Sequence, residues 1–63
     1  MGAIERNGYT FEPEYSVTRQ NGAIHVYRRG RFVEEIPFEF HGEFPEHDLI
    51  EELVNHYCYE NKI

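Results

Sequence analysis

The chain has 63 residues, of which 40% are hydrophobic and 29% charged, with five Tyr, five Phe, no Trp, one Cys and a net charge of −6. Such a chain is one small domain that buries only about 60% of its unfolded surface, so its aromatics, each covering roughly 150–250 Å² when buried, must supply much of the core. The single Cys58 excludes an internal disulfide and the paired-cysteine zinc knuckles found in many domains of this size; it fits a reducing cytoplasm.

The first eleven residues, "MGAIERNGYTF", contain no apolar leader, and no stretch approaches the roughly 20 apolar residues of a membrane span. Gly2 follows Met1, but Arg6 stands where a myristoylation motif requires Ser or Thr. The expectation is a cytoplasmic protein without membrane attachment. Asn7-Gly8 can close a hairpin from "AIER", which leaves a short fourth strand open as an alternative to a three-stranded sheet.

"YTFEPEYSV" alternates strictly, with Tyr9, Phe11, Pro13, Tyr15 and Val17 on one side. A half-buried strand is predicted over about 9–19, with Pro13 marking a sheet edge because it cannot donate to a ladder. Asn21-Gly22 is the predicted type I′ turn. A second strand over 23–28 opposes Ile24 and Val26 to His25 and Tyr27, and Arg29-Gly30 turns the chain into a third strand over 31–40. There Phe32, Ile36, Phe38 and Phe40 share a parity with Glu34. An inward carboxylate is costly, which predicts a bulge near residues 33–35. Pro37 again points to an edge.

From Pro45 the period becomes helical. Leu49, Ile50, Leu53, Val54 and Tyr57 fill an arc of about 140°, while Asp48, Glu51, Glu52, Asn55 and Tyr59 fill the opposite side. A helix over about 45–60 is predicted, with Pro45 at its first position. The fold class is α+β: residues 1–63 as a single two-layer β-β-β-α domain. Its expected core is Phe11, Tyr15, Val17, Ile24, Val26, Ile36, Phe38, Leu49, Ile50, Leu53, Val54 and Tyr57.

"HGEFPEHD" gathers His41, Glu43, Glu46, His47 and Asp48. On a helix His47 and His56 point about 180° apart, and His47 and Cys58 are separated by roughly 16 Å along the axis. Neither pair meets the spacing of about 2 Å from a shared metal. An enzyme using His41 or His47 would need a nucleophile or phosphate loop that the sequence lacks. The expectation is therefore no catalytic residue, no metal and no cofactor. Cys58 reads as a buried, inert thiol.

Charge is unevenly laid out. Residues 16–33 contain no acid but hold Arg19, Arg28, Arg29 and Arg31, while the remaining residues carry all twelve acids. Three arginines on the tight turn "YRRGR" project forked donors suited to carboxylate or phosphate. Tyr27, Arg28, Arg29, Arg31, Glu52 and Tyr59 are the candidate partner-binding residues. They fit a small binding or adaptor module that docks an acidic protein or self-associates. Nucleic-acid binding by the hairpin is the alternative, disfavoured because binders are usually basic over a whole face.

Across "QNGAIHVYRRGRFVEEI" and "IEELVNHYC" the chain resembles a family of short uncharacterised proteins from spore-forming Gram-positive bacteria. The resemblance implies a bacterial, cytoplasmic protein and brings no functional residue with it.

Overall fold

The computed structural model describes residues 2–63. Four strands, β1 (Ile4–Arg6), β2 (Tyr9–Ser16), β3 (Asn21–Arg28) and β4 (Arg31–Glu39), are followed by the helix α1 (His47–Glu60). The strands form one antiparallel sheet in the order β1-β2-β3-β4, so each pairs with its neighbour in sequence. The short fourth strand is β1, joined to β2 through Asn7 (φ 48°) and Gly8 (φ 86°), the positive pair that a two-residue hairpin needs. Arg29 (φ 52°) and Gly30 (φ 81°) make the equivalent turn between β3 and β4.

Asn21-Gly22 is not a turn. Both residues lie in β3, paired with Ser16 and Tyr15, and the chain reverses earlier, over residues 17–20. Gln20 takes the left-handed position (φ 58°), and its N–H donates to the Ser16 carbonyl at 2.8 Å. Gly22 serves packing instead: a Cβ there would meet the Phe38 ring and the Tyr15 Cβ at 2.8 Å and collide with the Glu14 carbonyl oxygen. The earlier reversal also removes Val17 from the expected core, leaving it 50% exposed in the turn. Tyr15, at the end of β2, is 42% exposed with its ring edge on Phe40.

The expected bulge is at Val33. Val26 pairs with Glu34 but Tyr27 pairs with Phe32, so Val33 is the extra residue of β4. Phe32 is thereby turned to the opposite face from Phe38, and Glu34 stays on the helix side, where its place on an edge strand leaves it exposed. Pro37 also lies on this edge strand. Pro13 is accommodated differently: β1 ends at the Ile4–Phe11 pair, so the remainder of β2 has an open side.

The core consists of Phe11, Ile24, Val26, Phe38, Phe40, Ile50, Val54 and Tyr57. Leu49, Leu53 and Ile36 pack against it half-buried, as does Cys58, which is less enclosed than the sequence predicts. The Tyr57 ring meets Phe11 edge-on at 5.7 Å. Burial pushes the Tyr57 hydroxyl above its ordinary pKa, and the nearby Glu34 carboxylate adds to the shift.

Pro45, expected as the first helical residue, is two positions early. Glu46 caps the helix in an extended conformation, with its carbonyl accepting from Leu49 and Ile50, and Pro45 is buried ahead of it. At the other end Lys62 (φ 55°) is left-handed. The Lys62 N–H donates to Tyr59 and the Ile63 N–H to Cys58. This is a Schellman closure, and Ile63 folds back on the core.

Candidate functional site

One helix covers one face of the sheet, so among the described residues the alternate positions of every strand form a second face with no element over it. Cross-strand pairing builds this open face in rows. Thr10, Tyr27 and Phe32 form one row, and Glu12, His25 and Glu35 the next. Glu14, Ala23 and Pro37 follow, then Ser16, Asn21 and Glu39.

His25 lies at the centre. Its Nε2 is 3.2 Å from a Glu35 oxygen and its Nδ1 3.8 Å from one of Glu14. Its ring is edge-on to Phe32 at 6.2 Å, and Phe32 is edge-on to Tyr27 at 5.9 Å. Phe32 is 59% exposed, a large apolar ring standing on a surface otherwise rich in carboxylates. Over the small residues Gly22 and Ala23 there is a shallow depression of about 410 Å³, rimmed by Glu14, Ser16, Asn21, His25 and Arg19.

The six residues singled out in the sequence do not share one surface. Tyr27 faces the open side beside Phe32. Arg28 turns to the helix side, where its guanidinium lies 5.5 Å from the centre of the Tyr9 ring. Arg29 and Arg31 are exposed at the hairpin tip. Glu52 and Tyr59 are on the outward side of α1, Tyr59 82% exposed. Among the described residues the ion pairs are His–Glu contacts, so the hairpin arginines face solvent without a carboxylate of their own.

In the "HGEFPEHD" segment residues 41–46 form a loop held at the Gly42 backbone, and His47 and Asp48 open α1. The Gln20 side-chain amide donates to the Gly42 carbonyl at 2.8 Å and accepts from the Gly42 N–H at 2.9 Å. The same amide donates to the Val17 carbonyl at 2.9 Å. Gly42 (φ 106°) occupies a conformation that side chains avoid. His41 is exposed, and His47 meets Glu51 one turn along the helix at 2.7 Å. Among the described residues no three His, Cys, Asp or Glu side chains are grouped to hold a metal ion.

Two residues of the open face escaped the reading of the sequence. His25 and Phe32 needed the register shift at Val33 to bring them together, because simple alternation gives Phe32 the parity of Ile36 and Phe38. The one signal was Glu34 on the apolar parity, which located the bulge but not its consequence for Phe32.

With this geometry established, comparison with known proteins places the chain. It matches the family of unknown function DUF5370 over residues 1–63. The chain belongs to that family. It is 78% identical over its full length to the uncharacterised protein YbxH of Bacillus subtilis (strain 168), covering all of that protein as well. The resemblance read from the sequence, to short proteins of spore-forming Gram-positive bacteria, is therefore correct. No solved structure matches the chain. Among the described residues no helix is long and apolar enough to cross a membrane.

Proposed function

We propose that the protein is a small non-catalytic docking module of the bacterial cytoplasm, engaging a partner through the open sheet face around Tyr27 and Phe32. The observation that carries this reading is Phe32 itself. A phenyl ring 59% exposed on an uncovered sheet face loses the stabilisation of burial, roughly 1.5–3 kcal/mol, which a partner would restore. The cytoplasmic placement is supported by the lone half-buried thiol of Cys58.

Capture by tagged protein from lysate of a spore-forming Gram-positive host tests it. A bound protein should be retained by the wild type and by Tyr59→Ser but lost with Phe32→Ser. Capture indifferent to Phe32→Ser, or turnover of a substrate at His41 or His47, overturns the reading.

A second reading is favoured by the unpaired hairpin tip, where Arg28, Arg29 and Arg31 would contact an acidic partner. Changing all three to Glu should abolish capture in that case and leave it intact if Phe32 is the anchor. The same tip raises nucleic acid as an alternative. A band-shift at about 150 mM salt that shows no complex removes it, since phosphate contacts weaken steeply with salt.

A further inference from the structure

We infer that the open face receives an extended, basic polypeptide segment of another protein, with Lys or Arg at alternate positions. This rests on the docking reading above and specifies the chemistry of the partner. The face carries Glu5, Glu12, Glu14, Glu35 and Glu39 at strand positions, and no Lys or Arg shares those positions. Arg6, Arg28 and Arg31 fall on the helix side by register: Arg6 and Arg28 both pair with Tyr9, and Arg31 pairs with Arg28. Among the described residues Arg19, in the β2–β3 turn, is the one cation that lines the depression at the far end of the face. No two of these carboxylates are directly opposite in the register, but five on one face repel one another through solvent, and among the described residues their ion-pair partner is His25. A cationic partner would relieve that repulsion.

The layout of the face fits an extended chain. Successive rows along the strands are about 6.7 Å apart, so the span from the Tyr27–Phe32 row to the Asn21–Glu39 row is about 20 Å, or roughly seven extended residues. Alternate side chains of such a segment recur at the same interval, bringing a cation to each acidic row. At one end the Tyr27 and Phe32 rings accept the aliphatic stem or the charge of a Lys or Arg. Toward the other, the depression of about 410 Å³ over Ala23 has room for a side chain beside Glu14. The net charge of −6 draws a basic partner from a distance as well.

Other occupants fit less well. Nucleic acid or an anionic membrane would meet five carboxylates. A second copy related by a two-fold axis would oppose the same five to themselves. Addition of a strand along β4 is obstructed by Pro37 and the Val33 bulge.

The probe is a synthetic nine-residue peptide alternating Arg and Thr, with a Glu–Thr peptide as control. Each is titrated into isotopically labelled full-length protein at about 150 mM salt, where the Debye length of about 8 Å leaves only close contacts. The Arg peptide should shift the amides of Glu12, Ala23, His25, Tyr27 and Glu35 and spare Glu51 and Glu52. Glu12→Gln, Glu14→Gln and Glu35→Gln together should weaken binding by about tenfold, while Glu51→Gln, Glu52→Gln and Glu60→Gln, an equal change in charge, should weaken it less than about twofold. Equal loss in both triple variants, shifts confined to the helix, or no binding of the Arg peptide overturns the inference. So does binding of the Glu peptide, or concentration-dependent self-association that perturbs the same amides. If the Arg peptide fails while Phe32→Ser still loses its captured protein, the docking reading stands and only the basic class of partner is wrong.

Discussion

Under α1, Phe11, Ile24 and Val26 are wholly buried and the helix closes over them with Ile50, Val54 and Tyr57. One residue further along the same strands, Glu12, His25 and Tyr27, with Glu35 of β4 beside His25, form a surface that none of the described elements covers. The two faces have the same backbone, twist and register, so the difference between them is wholly one of side chains. It shows where this domain has invested its stability and where it has surface free for other uses. A 63-residue protein commands roughly 3–9 kcal/mol of total stability, which the covered face must supply.

The strongest test of that contrast is a matched pair of phenylalanines. Phe11→Ala removes a fully buried ring and should cost about 3–5 kcal/mol, enough to unfold much of the population at 25 °C. Phe32→Ala on the open face should cost under about 1 kcal/mol. Urea denaturation followed by circular dichroism reads both, and similar losses would erase the distinction between the faces.

Gly22→Ala sharpens the comparison at one position, because Gly22 belongs to the covered face while its neighbours Asn21 and Ala23 belong to the open one. The new methyl meets Phe38, Tyr15 and the Glu14 carbonyl and should cost about 1–3 kcal/mol as overpacking. Ala23→Ser, next to it, should be close to neutral. A Gly22→Ala midpoint within error of the wild type would mean that Phe38 can move aside.

Gln20→Ala tests the junction where the two layers meet at one end of the sheet. It removes the side-chain amide that clamps Gly42 and Val17 and should cost about 1 kcal/mol, with faster amide exchange in residues 41–44. Unchanged exchange there would show that the loop is held by Pro45 burial instead.

The smallest effect is a pH dependence. Tyr57 on the covered face has a pKa raised above its unfolded value of 10.0, so the folded protein keeps a proton that the unfolded chain releases. Its contribution is fully present below pH 10.0 and is lost as pH rises through the folded value. Urea midpoints should therefore fall across that window, and Tyr57→Phe should flatten the decline. An equal decline in Tyr57→Phe would assign it to other groups.

Much of this was legible in the sequence because the signals were periodic. Alternation gave the strands, the 3.6-residue stripe gave the helix, and Asn7-Gly8 and Arg29-Gly30 gave two of the three turns. The third turn was misplaced because Asn21-Gly22 has the chemistry of a tight hairpin. Its glycine is instead required by the Phe38 ring from the neighbouring strand, a contact between residues distant in sequence that no local pattern encodes. Phe32 was grouped by parity with Ile36 and Phe38 for a related reason: one unpaired residue, Val33, reverses every parity before it. The candidate binding residues were legible as residue types only. Their distribution over two faces and a hairpin tip depends on tertiary placement.

The meander has a consequence for the order of assembly. Its three turns span residues 7–8, 17–20 and 29–30, so no long loop must close before the strands can pair. Successive hairpins of this kind form in about 1–10 μs, but a single two-stranded hairpin is at best marginally stable in water. The helix α1 joins the sheet across residues 40–46, the longest connection between the elements described. Helix docking covers Phe11, Ile24 and Val26 with Ile50, Val54 and Tyr57, and so ties three local hairpins into one cooperative unit.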